Sequence, residues 1–249
     1  MSILVAALFG LVIGSFLNVV IHRVPLRESV VFPASHCPNC GARIKMRDNI
    51  PVLSYLLLRG RCRNCKEPIP LRYPVVEATT AVLFGAAVYA FGASLQLVVA
   101  LVFIIVLVSL AGTDFEHRLL PNVIVGPAAL LGFVLSAFSR PEWWWVYPLA
   151  ALIVAGLLFM LAIIYPGGIG MGDVKMGGML GAYLGPYAAL AVFLGALAGT
   201  VAGGLLMATG RIPRRTALPF GVFMSFGGLV TLFVGPELWD LYIDLVGGS

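Results

Sequence analysis

Charge is scarce in this chain. Sixteen Lys or Arg and eleven Asp or Glu among 249 residues make it 11% charged, while 60% of residues are hydrophobic. A soluble domain carries about 25% charged residues. The shortage excludes an ordinary soluble fold and points to an all-α polytopic membrane protein. The net charge of +5 is usual where basic loops face the cytosol, so it implies no nucleic-acid partner. The first apolar run has no Lys or Arg before it and no small-residue cleavage site after it. It reads as a retained helix, not a removed signal peptide. No internal repeat and no low-complexity tract is visible. A GxGxG loop following a strand pattern, the usual mark of a nucleotide cradle, is also missing.

Eight apolar runs are present: Ser2 to Ile21, Tyr73 to Phe91, Leu95 to Ala111, Val123 to Phe138, Val146 to Tyr165, Val174 to Gly185, Tyr187 to Ala208 and Leu218 to Val234. A membrane helix needs about 20 residues. Val174 to Gly185 is therefore too short for a full span: a half-helix, or a helix that continues through Pro186 with a kink. Its glycines, and the rule that irregular backbone at depth needs protein or water beside it, predict a wet cavity near Asp173. Alternation across eight spans puts both termini outside. It also puts Arg118, Lys175, Arg211, Arg214 and Arg215 on the cytosolic side and leaves only Arg140 outside. Trp143, Trp144 and Trp145 read as an interfacial belt. Asn18, polar within the first run, reads as an interhelical hydrogen bond.

Arg23 to Arg72 differs sharply, holding ten of the sixteen basic residues and all four cysteines. This organisation suggests a first helix over 1–22, a cytosolic module over 23–72 and a membrane domain over 73–249. Cys37-Pro38-Asn39-Cys40 and Cys62-Arg63-Asn64-Cys65 are CxxC pairs. Each pair turns two sulfurs toward one metal, and two pairs complete a tetrahedral zinc site. Four thiolates leave no open position, so such a metal is structural. The competing reading is free thiols or a redox pair. His36 reads as a loop residue and not as a fifth ligand.

An acid beside apolar segments marks a functional candidate. Asp173 lies in Gly170-Met171-Gly172-Asp173-Val174-Lys175, where Gly170 and Gly172 let an extended peptide approach. Lys175 either tunes this carboxylate or is a plain cytosolic-side charge. Asp114, at the end of the third run, is expected at the same depth and side. Two nearby carboxylates share a proton and can act as acid and base on water. Glu116 and, more weakly, His117 compete with Asp114 for that role.

The stretch around Asp173 resembles the GxGD signature of intramembrane aspartyl proteases. Asp114 with Leu119-Leu120-Pro121-Asn122 resembles their first catalytic motif. With Gly14-Ser15-Phe16-Leu17-Asn18-Val19-Val20, the CxxC pairs, Asn49-Ile50-Pro51-Val52-Leu53-Ser54-Tyr55, Arg72-Tyr73-Pro74-Val75-Val76-Glu77 and Pro219-Phe220-Gly221, the chain resembles the bacterial type IV prepilin peptidases. That resemblance implies cleavage of the short basic leader of prepilins and type II secretion pseudopilins, after a Gly, at the cytosolic face of the bacterial inner membrane. It implies Asp114 and Asp173 as the catalytic pair and zinc on Cys37, Cys40, Cys62 and Cys65. It also implies N-methylation of the new terminus from S-adenosylmethionine, linked to Gly60 and Arg61, where the family often has Gly-Lys. The alternative from another class is a transporter with a cytosolic zinc domain and a broken helix at its ion site.

Overall fold

The computed structural model describes residues 2–211, 213 and 218–247. Arg214 and Arg215, assigned above to the cytosolic side, lie outside the described residues. The described residues form helices and no β-strand. Seven stretches among them are long and apolar enough to cross a membrane. The chain packs as two compact units, Met1–Leu97 and Val98–Ser249.

In the first unit, α1 (Ile3–Arg23) and α3 (Arg72–Phe91) flank a short α2 (Leu53–Leu57). Ser2 caps α1 by accepting a hydrogen bond from the Val5 N–H at 3.3 Å. Gly10 and Gly14, one turn apart, let α3 come close. A Cβ added at Gly10 would lie 2.8 Å from Ala81 Cα, and one at Gly14 would lie 2.7 Å from Glu77 Cα. Small residues at four-residue spacing promote such backbone approach between membrane helices. Asn18 makes the predicted interhelical bond, donating to the Tyr73 carbonyl at 3.1 Å.

Between α1 and α3 the chain carries a repeat that the sequence reading missed. Residues 35–44 and 60–69 make the same backbone bonds, offset by 25 positions. Cys37 N–H donates to Ala42 and Cys62 N–H to Glu67, at 2.9 and 2.8 Å. Ile44 N–H donates to Ser35 and Ile69 N–H to Gly60, at 2.9 and 2.7 Å. Only the cysteines, Asn39/Asn64 and Ile44/Ile69 match between the two segments. Even the tight turn differs, with Gly41 at φ 68° and Lys66 at φ 61°. The repeat lies in hydrogen bonds, which residue identity records poorly.

The second unit contains the rest of α4 (Leu95–His117), α5 (Asn122–Ser139), α6 (Val146–Ile164), α7 (Met171–Leu184), α8 (Ala188–Ala208) and α9 (Phe220–Gly247). The apolar stretch Met171–Ala208 is interrupted. Gly185, at φ 55°, ends α7, and a 3-10 turn through Pro186 leads into α8. At about 1.5 Å per residue, the 14 residues of α7 reach about 21 Å, short of a bilayer core.

Protein surrounds that short helix, and nearly every residue from Val174 to Gly185 is buried or half-buried. Gly177 and Gly178 meet Val154, Leu158 and Ala155 of α6, and Gly181 meets the backbone of Ala150 and Ala151. Tyr183 stacks on Phe103 with ring centroids 4.5 Å apart and presses on Gly132 of α5. Lipid is as apolar as these side chains, so close packing of small residues stabilises the bundle more than burial does. Trp143, Trp144 and Trp145 remain about half exposed between α5 and α6, as an interfacial belt requires.

Candidate active site

Helix α4 runs two turns beyond the predicted apolar run and ends at His117. Asp114 therefore lies inside the helix, and it is buried. Its Oδ2 accepts a hydrogen bond from the Val222 N–H at 3.1 Å, in the first turn of α9. A Cβ at Gly221 would meet that same oxygen, and Leu120, at 2.9 Å. The Pro219-Phe220-Gly221 segment thus keeps a glycine where the backbone abuts the carboxylate. In the sequence this segment is legible as a motif without a role. Its signal was a motif with a glycine beside a helix start; the partner 107 positions earlier was invisible.

Asp173 is half-buried in the first turn of α7. Its Oδ2 accepts from the Gly170 N–H at 3.0 Å, while its own N–H donates to the Gly170 carbonyl at 3.0 Å. A negative side chain suits this helix end. Asp114, Asp173, Gly170, Gly172, Lys175 and Asn122 line one cavity of about 270 Å³, together with Arg118, Leu119 and Leu120. Glu116 does not line it; this carboxylate is exposed, with Oε2 3.8 Å from His117 Nε2. Gly172 abuts Leu120 in the cavity wall, where an added Cβ would come within 3.2 Å of Leu120 Cβ. Lys175 Nζ donates to Asn122 Oδ1 at 2.9 Å, tying α7 to the start of α5. Two carboxylates on one polar cavity, each oriented by a backbone N–H, can activate water and protonate a carbonyl oxygen.

In the first unit the four cysteines converge. Their sulfurs all lie within 4.8 Å of one another, with Cys37 and Cys65 3.7 Å apart. Tetrahedral thiolate ligation at about 2.3 Å puts sulfurs about 3.8 Å apart, so the cluster has room for one metal ion. The two knuckles also brace each other. Asn39 Nδ2 lies 3.9 Å from Cys65 Sγ, and Asn64 Nδ2 lies 3.6 Å from Cys40 Sγ. The Ala42 backbone and the Asn64 amide pull the Cys40 thiol down to about 6, toward the thiolate that ligates metal. His36 bonds the Ala34 carbonyl at 3.1 Å, as a loop residue. Gly60 sits in the second knuckle at φ 67°, under the Tyr55 hydroxyl, and Arg61 is exposed.

Residues 8–91 match the model of the bacterial peptidase A24 N-terminal domain, and residues 101–206 match that of the type IV leader peptidase family. The prepilin leader peptidase/N-methyltransferase of Bacillus subtilis (strain 168) is 37% identical over 97% of this chain and 98% of its own length. The chain belongs to the type IV leader peptidase family. Two further family members, prepilin leader peptidase/N-methyltransferases of Pseudomonas putida and Pseudomonas aeruginosa, are each 33% identical over 98% of the chain. They are covered over 95% and 94% of their own lengths. No solved structure matches the chain. The resemblance read from short motifs thus extends over nearly the whole sequence, and the transporter alternative finds no support.

Proposed function

We propose that this protein cleaves the short basic leader from type IV prepilins and type II secretion pseudopilins after a Gly, and N-methylates the terminus it exposes. The observation that carries the cleavage reading is the pair Asp114 and Asp173 on one polar cavity, in a chain of this family. One carboxyl group takes a proton from water while the other protonates the scissile carbonyl oxygen. Val222 N–H orients the first and Gly170 N–H the second. Gly170 and Gly172 give an extended substrate backbone access to Asp173, and Lys175 braces that wall through Asn122.

Zinc on Cys37, Cys40, Cys62 and Cys65 holds the module together in this reading, and the sulfur spacing supports it. S-adenosylmethionine supplies the methyl group, with Gly60 and Arg61 belonging to the methylation half. Functionally, 1–22 is an anchoring helix, 23–72 the zinc module and 73–249 the membrane protease, although α3 packs on α1. The protein sits in the bacterial inner membrane with its catalytic cavity at the cytosolic face and both termini outside. A cysteine replacing Asp244 then reacts with an impermeant external thiol reagent, and labelling only from the cytosolic side reverses this orientation.

The deciding experiment incubates purified protein with a prepilin peptide, with and without S-adenosylmethionine, and weighs the products. Cleavage after the Gly in both samples, with a 14 Da gain only with the methyl donor, is the expected result. An intact peptide in both would overturn the peptidase reading.

A further inference from the structure

A second cavity lies wholly within the first unit, and neither aspartate lines it. It has a volume of about 370 Å³, within the roughly 300–1,000 Å³ range of small-molecule sites. Its walls come from one stripe of α1, from the loop at 30–35, and from Asn49 and Pro51. The α1 stripe carries Ser15, Phe16 and Arg23. Arg23 is only 8% exposed. The one hydrogen bond of its guanidinium among the described residues runs from NH1 to the Ser29 carbonyl, at 2.9 Å. No carboxylate among the described residues pairs with it. A buried guanidinium without a counter-charge is expensive. A ligand carboxylate would supply that charge in the bidentate form Arg favours.

The remaining walls suit a compact polar ligand carrying a flat ring. Phe16 offers an aromatic face, and Ser15, Ser35 and Asn49 offer hydroxyl and amide groups. The wall at Asn49 and Pro51 is held deliberately. Val52 has φ 60°, which is costly for a β-branched residue, and its N–H donates to buried Glu77 Oε2 at 2.7 Å. Glu77 also lies beside Ser15. The acid on α3 therefore shapes two sides of the cavity.

We infer that this cavity is the binding site for S-adenosylmethionine, with Arg23 on the donor carboxylate and Phe16 against its adenine. The inference rests on the methylation half of the proposed function. It assigns donor binding to α1 and the flanking loops; Gly60 and Arg61 do not line the cavity and belong to the methylation half through the second knuckle that carries them. An anionic phospholipid headgroup offers the same charge to Arg23, so the test must separate the two.

The full chain, loaded with zinc in phosphatidylglycerol-free nanodiscs, is titrated with tritiated S-adenosylmethionine. Arg23→Gln should weaken binding roughly tenfold or more. Ala34→Trp, which fills the cavity from its exposed loop and removes no internal side-chain bond, should abolish binding. Zinc content and size-exclusion profile report that both variants are folded. Arg59→Gln, a charge change outside the cavity, should stay within about twofold of wild type. Adding phosphatidylglycerol should leave the wild-type affinity unchanged. Equal binding by wild type, Arg23→Gln and Ala34→Trp overturns the inference while leaving methylation standing. Loss of copurifying phosphatidylglycerol from those variants, with donor binding intact, reassigns the cavity to lipid. A wild-type protein that binds no donor overturns the methylation reading itself.

Discussion

The cysteine module and the aspartate cavity each bring together two short segments, but by different means. In the module, Cys62 follows Cys37 by 25 positions. Each half closes its own turn with backbone bonds between residues five to nine apart before the halves meet. In the cavity, Asp173 follows Asp114 by 59 positions, and Val222, which holds Asp114, lies another 49 further on. Neither aspartate has its surroundings until α4, α5, α7 and α9 have packed. The module should therefore fail as a folding unit when a ligand is removed. The cavity should fail chemically while its helices stay in place.

The largest effect expected is chemical. Asp114→Asn and Asp173→Asn should each reduce leader cleavage by about 10³-fold or more, measured by mass spectrometry under single-turnover conditions. The double variant should be no worse than either single one, because the two carboxyl groups act as a unit. Melting of detergent-solubilised protein should shift little. Glu116→Gln, outside the cavity, should keep most of the activity. A dead Glu116→Gln beside an active Asp114→Asn would move the pair by two residues.

Next comes the metal. Cys40→Ser should lower bound zinc from one per chain to under about a tenth, because metal binding energy is folding energy for a small thiolate module. Limited proteolysis should then cut within 24–71 while the membrane helices stay intact. Full zinc in this variant rules out four-cysteine ligation.

A smaller effect belongs to the position that joins packing to chemistry. Gly221→Ala places a methyl group 2.9 Å from both Asp114 Oδ2 and Leu120 Cδ2. Overpacking of this kind costs about 1–3 kcal/mol, and a displaced carboxylate should lower cleavage roughly 10–100-fold. Cleavage at the wild-type rate would show that α9 does not orient Asp114.

The smallest expected effect is electrostatic and confined to the module. Arg63 forks onto Asp48, with NH2 2.6 Å from Oδ1 and Nε 2.9 Å from Oδ2. The hydrogen bonds from Arg63 hold the Asp48 carboxyl below its ordinary range. The stabilisation is complete above the unfolded value near 4 and fades as pH falls through the lowered folded value. Arg63→Gln should remove that slope below about pH 4, so that the variant is slightly less stable than wild type at pH 7 and equal to it at low pH. Proteolysis of the module across this pH range measures it.

The glycines show where legibility in the sequence ends. Gly170 and Gly172 stand out because they flank an acid in an apolar context, and they do lie at the cavity. Gly221 is just as tightly placed, yet its neighbour is an aspartate more than 100 positions away. Lys175 was legible as a charge, but its partner Asn122 was not, because a lysine stem can reach many places. Glu77 stood out only as the last residue of the Arg72-Tyr73-Pro74-Val75-Val76-Glu77 motif. Its bond to Val52 depends on a loop conformation, φ 60° at a valine, that no propensity would suggest.

The sequence by itself determined the membrane character, the number and order of apolar helices, the paired CxxC knuckles, and a short set of candidate acids, Asp173 with Asp114 or Glu116. These follow from composition, from run length against bilayer thickness, and from spacing over a few residues, all local quantities. Only the tertiary structure decided that α7 is a separate short helix enclosed by α4, α5, α6 and α9. It also decided that Asp114 is clasped by the start of α9, that the two knuckles repeat one another, and that Arg23 faces a cavity of its own. Each of these depends on which surfaces meet at long sequence separation, and a linear pattern of residue types does not specify such meetings.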